Sequence, residues 1–523
     1  MSNFYSSYKK IITKLIDSND KLPCKKKKEL KKLLSDSIHN VENVENSNDN
    51  VISKNVFLLD NIKLTNDINR CNDCWGYSVG NKMYALMGHV LTLEIYEIKN
   101  NSLLYITSIP HNQSMWSDVK TYETYCYCVN ENDNGDNLET SGLQIISLKD
   151  IENGTKPSII KTINSVEFNN NHHDSDSHNG NGSHEHHEHE KINLNSAHNV
   201  YVDEKNGILY VLGVRERVPQ VQTDGGRNSS RHPNSGKMLS FALKQIDGLE
   251  YTKNASPESP VYIPIENDNV NKVDFNNTYY HDFYTYTYTM SNNKKKVIAY
   301  GSAEDNGISV IDVTIPNKWV FIVNLNEHLN YISKQHYNVN YSLPTYLHQL
   351  WSSYDGRYIF ANDEFLLKQC VIVYDMQEMI RTSFKTTNAK VVTFKGKNML
   401  QNPPNEKQLK RGMWTNGTDS INHNLYVHYN KKLKCDFIFH SCYTTGLRIF
   451  AVKRNDSKSR IDLIEVAYYD TFPKNSDPIF DGQWSNYYFN NEENVCIATD
   501  ISNGDYLLQI LWDGIEKTLK NVN

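Results

Sequence analysis

The chain has 523 residues, with 55 Lys and Arg against 61 Asp and Glu. The resulting net charge of −6 leaves no global basic field for nucleic acid. No run of about 18 apolar residues is present, so no segment reads as a transmembrane helix. Nine Cys are too sparse at this length for a disulfide scaffold, and 34 Tyr favour strands over long helices.

Residues 1–50 form a segment of their own. Ile11, Ile12, Leu15 and Ile16 stand at helical spacing, and a Lys-rich stretch runs from Lys25 to Lys32. This predicts a solvated helical arm or a weak anchor for an anionic surface. Residues 40–50, rich in Asn, Asp and Glu, read as a linker. The first residues lack the apolar core of a secretory signal, so a cytoplasmic protein with reduced cysteines is the expectation.

From residue 56 the pattern changes to short strands separated by turn residues. A Trp or His opens an apolar strand seven times, at Trp75, Trp116, His198, His281, His348, His423 and Trp484. A second strand follows each opener: KMYALMG, YCYCVNE, ILYVLGV, KVIAYGS, RYIFAND, DFIFHSC and NVCIATD. A third comes next, usually after a Gly suited to a turn of positive φ, as in SGLQIISL, NGISVIDV and TGLRIFAV. A fourth strand precedes each opener, and the first of these, VFLLDNIKL, has no earlier repeat to join. The count closes only if Val56–Leu64 is the outer strand of the last unit. Four strands per unit, seven units and an offset terminus predict one seven-bladed β-propeller over residues 56–515. Two polar insertions, near 169–190 and 214–237, read as loops with little fixed structure.

Several stretches occur in a specific order: CWGY, SAHNVYVDEKNGILYVLG, YHDF, HQLWSSYDGRYIFANDE, INHNLYV, YTTGLRIF and DGQWSNYYF. In these the chain resembles the LVIVD-repeat, choice-of-anchor B family over roughly residues 70–510. The resemblance implies a repeat β-propeller of a kind often exported and anchored at the surface. It brings no established reaction, and this chain departs from the habit of export by showing neither signal nor anchor.

The first strand of a propeller blade lines the central channel, so the openers form a ring. His198, His281, His348 and His423 fall in four consecutive blades, and Trp484, Trp75 and Trp116 complete the circle. Neutral imidazoles converging from separate blades suit a divalent transition metal such as Zn, Fe, Cu or Ni. Asp282, Asp363 and Glu364 are candidates to fix the imidazole tautomers. A second reading is a structural lock, each His bonding a neighbouring blade; a third is an organic-ligand pocket lined by Trp75, Trp116, Asp118, Trp484 and Asn486. Asp363 and Glu364 are adjacent on a strand and so face opposite ways, which argues for a solvated strand end with at most one of them at the channel mouth.

Cys71-Asn-Asp-Cys74 is half of a zinc motif with no partner half. Cys126 and Cys128 share a strand face and read as core. The HEHHEHE run at His184–Glu190 sits in low-complexity sequence and is a weak chelator at most. No nucleophile elbow, Walker loop or dinucleotide fingerprint is present. Two functions stand: a binding scaffold for an unknown protein or small molecule, and a metal-dependent enzyme using the four-His ring.

Overall fold

The computed structural model describes residues 53–64, 69–131, 141–169, 189–215, 235–265, 279–304, 306–326, 346–364, 368–387, 389–391, 393–394, 413–458, 460–473, 475, 477–491 and 493–522. The chain divides into residues 1–54 and 55–523. Of the first unit only the two-residue strand Ser53–Lys54 is described. The helical arm and Lys-rich stretch expected there lie outside the described residues.

Among the described residues, the second unit is a seven-bladed β-propeller. Its first blade sets the pattern: Cys71–Val79, Lys82–His89, Thr92–Lys99 and Ser102–Pro110 pair antiparallel in chain order, from the channel outward. The inner strands of the next six blades are Ser117–Tyr122, Asn199–Asp203, Asp282–Thr289, Leu347–Ser352, Leu425–Asn430 and Gln483–Tyr488. The second strands Tyr125–Asn130, Tyr358–Asp363 and Val495–Asp500 are buried at every position. That explains their near-continuous apolar runs, since each is covered on both faces by the neighbouring sheets. Outer strands meet solvent instead, with Leu104 and Tyr105 exposed on Ser102–Pro110.

Seven apolar clusters fill the spaces between successive blades. Leu86, Ile95, Cys126, Cys128 and Ile146 join the first to the second, and Met87, Ile98, Ile497 and Leu507 join the seventh to the first. The last interface depends on ring closure. Val56–Ile62 pairs with Gly504–Ile510, Val56 opposite Ile510, Leu58 opposite Leu508 and Ile62 opposite Asp505. The strand from the start of the unit thus becomes the outer edge of its last sheet, as the strand count requires, and an unpaired edge is avoided.

The glycines before the third strands are explained by geometry. Gly142, Gly307, Gly446 and Gly504 all have φ between 73° and 98°. A Cβ on each would lie 2.0–2.4 Å from a carbonyl oxygen of Ile163, Leu325, Tyr469 or Ile62 respectively. Only glycine fits a left-handed backbone in such a close approach.

The fifth blade departs from the pattern. Its expected outer strand, VVTFKG, contributes only Val391, which with the preceding Lys390 pairs with Tyr374 and Asp375, while Thr393–Phe394 pairs in parallel with the sixth blade. Met413–Asp419 instead pairs along Lys368–Ile372. The ends of both polar insertions are ordered. Ser165–Asn169 pairs with His189–Asn193 as a hairpin, and Val214 and Arg215 pair with Lys237 and Ser235. After the last sheet, Trp512–Val522 forms an α-helix that anchors through Ile515 beside Val56 and Ile510.

Candidate functional site

The imidazoles gather at the start of the inner strands. Backbone N–H groups of His198, His281 and His423 bond to Leu212, Ser302 and Ser441 just before their strands begin. In the fifth blade the ladder slips between Leu347 and Leu350, leaving His348 at a bulge. The first and seventh blades slip in the same place, between Cys71 and Cys74 and between Gln483 and Ser485. A bulge re-aims a side chain that regular alternation would turn away. The outcome is a row of rings: His198 to His281 4.2 Å, His281 to His348 4.0 Å, His348 to His423 4.1 Å, and His423 to Trp484 4.4 Å between centroids. They line a cavity of about 60 Å³ together with Tyr346, Glu364 and Trp116, the last half-exposed at its mouth.

Hydrogen bonds assign the nitrogens. His198 Nδ1 lies 2.7 Å from Glu131 Oε1, His281 Nδ1 3.0 Å from the His348 carbonyl, and His423 Nδ1 2.6 Å from the Trp484 carbonyl. A carbonyl or an ionised carboxylate only accepts, so each Nδ1 carries a proton, and the neutral His281 and His423 carry a lone pair at Nε2. His198 Nε2 and His281 Nε2 then face each other at 2.7 Å. His348 Nδ1 is buried with no hydrogen-bond partner among the described residues. His348, Glu364 and His423 offer ligand atoms all within 4.8 Å of one another.

Electrostatics keep His281, His348 and His423 neutral. Burial, then the fields of His198 and His423, hold His281 well below the usual imidazole range, against its bond to the His348 carbonyl. Burial and the neighbouring imidazoles do the same to His348. Burial lowers His423 to about 3, opposed by its bond to Trp484. Glu364 is pushed up to about 8 by burial, although the Tyr443 hydroxyl donates to its Oε1 at 2.8 Å. Neutral imidazole is the form that ligates a metal.

Other expected site residues are distributed differently. Trp484 shares the histidine layer, and Trp116 lines the mouth. Trp75 does not join: it meets Tyr426 edge-on and Tyr487 at a tilt, further along the channel. The residues preceding it by three in the first blade, and following Trp116 in the second, are Asn72 and Ser117, and these occupy the ring, bonded to each other at 2.6 Å. Asp363 is fully buried and accepts from the Tyr346 N–H, while Glu364 faces the cavity; the solvated strand end is therefore incorrect, although the two do face opposite ways. Asp282 caps the Phe283 N–H rather than a histidine, and Asn486 donates to Ser441 between two blades. The acid that does fix a tautomer, Glu131, directly follows the second strand of the neighbouring blade, and no spacing along the chain marks it.

Below the histidines lies a charged layer. Lys120 Nζ reaches Asp118 at 2.5 Å and Asp73 at 3.2 Å, and Asp73 also accepts from Asn424 and Ser485. Burial, then Asp73, push the Asp118 carboxyl up while Lys120 pulls it down. Burial raises Asp282 to about 7 against Lys120. One residue past Asp118 and Asp282 in each blade the strand turns into core, and the next position is aromatic: Trp75, Tyr201, Tyr284, Trp351, Tyr426 and Tyr487, with Lys120 in the second blade. Lys120 Nζ sits 4.6 Å over the Trp75 ring.

The eight cysteines among the described residues are free thiols. Cys74, Cys126 and Cys128 are core residues. Cys71 Sγ lies 3.6 Å from His89 Nε2, and both meet Asp505. Leu91 N–H holds the Asn69 carbonyl oxygen, so the Asn69 amide donates to His89 Nδ1 and Nε2 carries the proton toward Asp505. This cluster fastens the seventh blade to the first and leaves no imidazole lone pair for a metal. Of HEHHEHE, residues 184–188 lie outside the described residues, and His189 and Glu190 are hairpin backbone.

No family model and no curated protein matches the chain. Among solved structures it is similar to the β-propeller domain of Cps50 (Swd1) from Myceliophteria thermophila, at 6% identity and TM-score 0.39, covering 87% of this chain and 98% of that one. It is also similar to a protein from Lactobacillus plantarum, at 9% identity, TM-score 0.39, and 82% and 88% coverage. A putative 6-phosphogluconolactonase from Bacteroides fragilis aligns at 11% identity, TM-score 0.37, and 86% and 99% coverage.

Proposed function

We propose that this β-propeller is a binding scaffold that holds a divalent transition metal at the histidine end of its channel. His348, Glu364 and His423 supply the ligands, with His198 and His281 adjoining. The observation that carries the reading is that these three offer ligand atoms all within 4.8 Å of one another, while His348 Nδ1 is buried with no hydrogen-bond partner among the described residues. Burial keeps both imidazoles neutral, the form that ligates a metal. Zinc bonds of about 2.0–2.2 Å would draw the three ligand atoms closer together. The outer bonds of the row, to Glu131 and to the two carbonyls, are of the kind that orient ligand histidines and fix their tautomers.

The same outer bonds run from blade to blade, which favours the structural lock as a second reading. That reading needs nothing at Nε2. An enzyme built on this centre would act on a substrate entering past Trp116, because about 60 Å³ admits only a few waters. The ordered motifs support grouping the chain with LVIVD-repeat, choice-of-anchor B proteins.

The test is the metal content of protein whose residues 170–188 are replaced by a Gly/Ser linker, which removes most of the confounding histidines and keeps the hairpin ends. Near-stoichiometric metal, lost in His348→Ala with the fold retained, is the expected result. Metal content that is absent, or unchanged by His348→Ala, leaves the structural lock.

A further inference from the structure

The opposite mouth of the channel holds a second cavity, of about 360 Å³, with no residue in common with the histidine site. Its floor is aromatic. Trp75, Tyr284 and Trp351 are half-buried and turn ring surface into it. Their positions are fixed by other rings: Tyr284 lies 4.6 Å from Trp351, Trp351 5.3 Å from Tyr426, and Trp75 4.7 Å from Tyr487. The wall is polar and of mixed sign. Asp203 accepts from Thr285 at 2.7 Å, Thr287 accepts from the Asn206 amide at 3.2 Å, and Glu204 and Lys205 stand exposed at the rim.

We propose that this mouth is a binding site for a neutral carbohydrate of one or two rings. A volume of this size suits a small organic ligand rather than a water cluster. Flat apolar faces over a rigid floor suit the C–H face of a pyranose, which stacks on indole and phenol rings. Sugar hydroxyls donate and accept at once, and the wall offers both: carboxylates of Asp203 and Glu204, the ammonium of Lys205, and the hydroxyl of Thr287. An anion is disfavoured by the two carboxylates. An organic cation is disfavoured because Lys120 Nζ already occupies the cation position over Trp75, 4.6 Å from its centroid. The site stands whether or not the histidine ring holds a metal.

The test is a panel of glucose, galactose, mannose, N-acetylglucosamine, maltose and cellobiose at millimolar concentration. Tryptophan fluorescence and saturation-transfer NMR report binding to the full chain. At least one sugar is expected to bind, with saturation reaching its ring C–H protons. Trp351→Ala should weaken it by about tenfold or more, the worth of one stacked ring. Because Trp351 also touches core, Thr287→Val serves as a milder variant, expected to weaken the same sugar severalfold with the circular dichroism spectrum unchanged. His281→Ala should leave sugar binding intact. Failure of every sugar to bind, equal binding by both mouth variants, or preference for tetramethylammonium or inorganic phosphate would overturn the proposal.

Discussion

The two ends of the channel are built three residues apart on the same inner strands, yet one is a ring of imidazoles and the other a cup of indole and phenol rings. At the histidine end the side chains hydrogen-bond from blade to blade and the cavity is about 60 Å³; at the aromatic end they pack edge on face and the cavity is about 360 Å³. Between them sit Lys120 and its carboxylates. The difference shows how a repeat fold separates roles: the scaffold repeats the backbone position, and the choice of residue at successive positions along one strand gives each mouth its own chemistry.

The most drastic way to break the comparison is to open the ring. Replacing residues 56–62 by a Gly/Ser linker of equal length removes the outer strand of the seventh blade and exposes the edge of Gly504–Ile510. Both mouths should be lost together, with loss of a single cooperative thermal transition by circular dichroism. Retention of that transition would mean closure is dispensable. A smaller perturbation separates the ends. Glu364 stands near about 8, so its proton competes with a metal beside His348 and His423. Zinc affinity should rise as pH increases toward 8 and level off above it. Glu364→Gln should flatten that profile while sugar binding at the other mouth does not change; isothermal titration at several pH values checks both.

Acid stability gives a smaller effect. His440 is buried, accepts from the Asn362 amide, and is lowered by burial to about 3. Unfolded, it titrates near about 6.5. Its contribution is therefore full above about 6.5 and is lost as pH falls toward 3, where the unfolded chain binds a proton that the native chain excludes. His440→Gln should make the acid limb of urea-unfolding stability shallower, by at most about 1.4 kcal/mol per pH unit. The smallest local change is Gly504→Ala. The added Cβ meets the Ile62 carbonyl at 2.0 Å on a backbone with φ 97°. A loss of about 1–3 kcal/mol is expected, without effect on either mouth.

The blade count and the closing strand were legible because they rest on strand number and period, which alternation and turn glycines report directly. The four histidines were legible for the same reason, since each opens its strand at one offset. Trp75 and Trp116 were aligned with them by residue type, and there the reading slipped. The bulge in the first blade puts Asn72 at the ring and Trp75 three positions on, opposite its counterpart Trp351 in the fifth. Trp116 stands one residue ahead of Ser117, which holds the ring position in the second blade. A bulge leaves no mark in hydrophobic alternation, so the offset had to come from structure. Glu131, Tyr346 and Tyr443 were invisible for another reason: they reach the histidines from neighbouring strands and blades, across distances that local spacing does not encode. The outer edge of the fifth blade escaped prediction because Met413–Asp419 returns to it from beyond residues 395–412.

The central claim is that lone pairs on the histidine ring are arranged for a metal rather than for blade-locking alone. An anomalous difference map, recorded at the edge of the bound metal on crystals of protein with residues 170–188 replaced, tests it most directly. The account predicts one strong peak about 2.0–2.2 Å from ligand atoms of His348, Glu364 and His423. A map without a peak there, from protein grown with zinc, would contradict it.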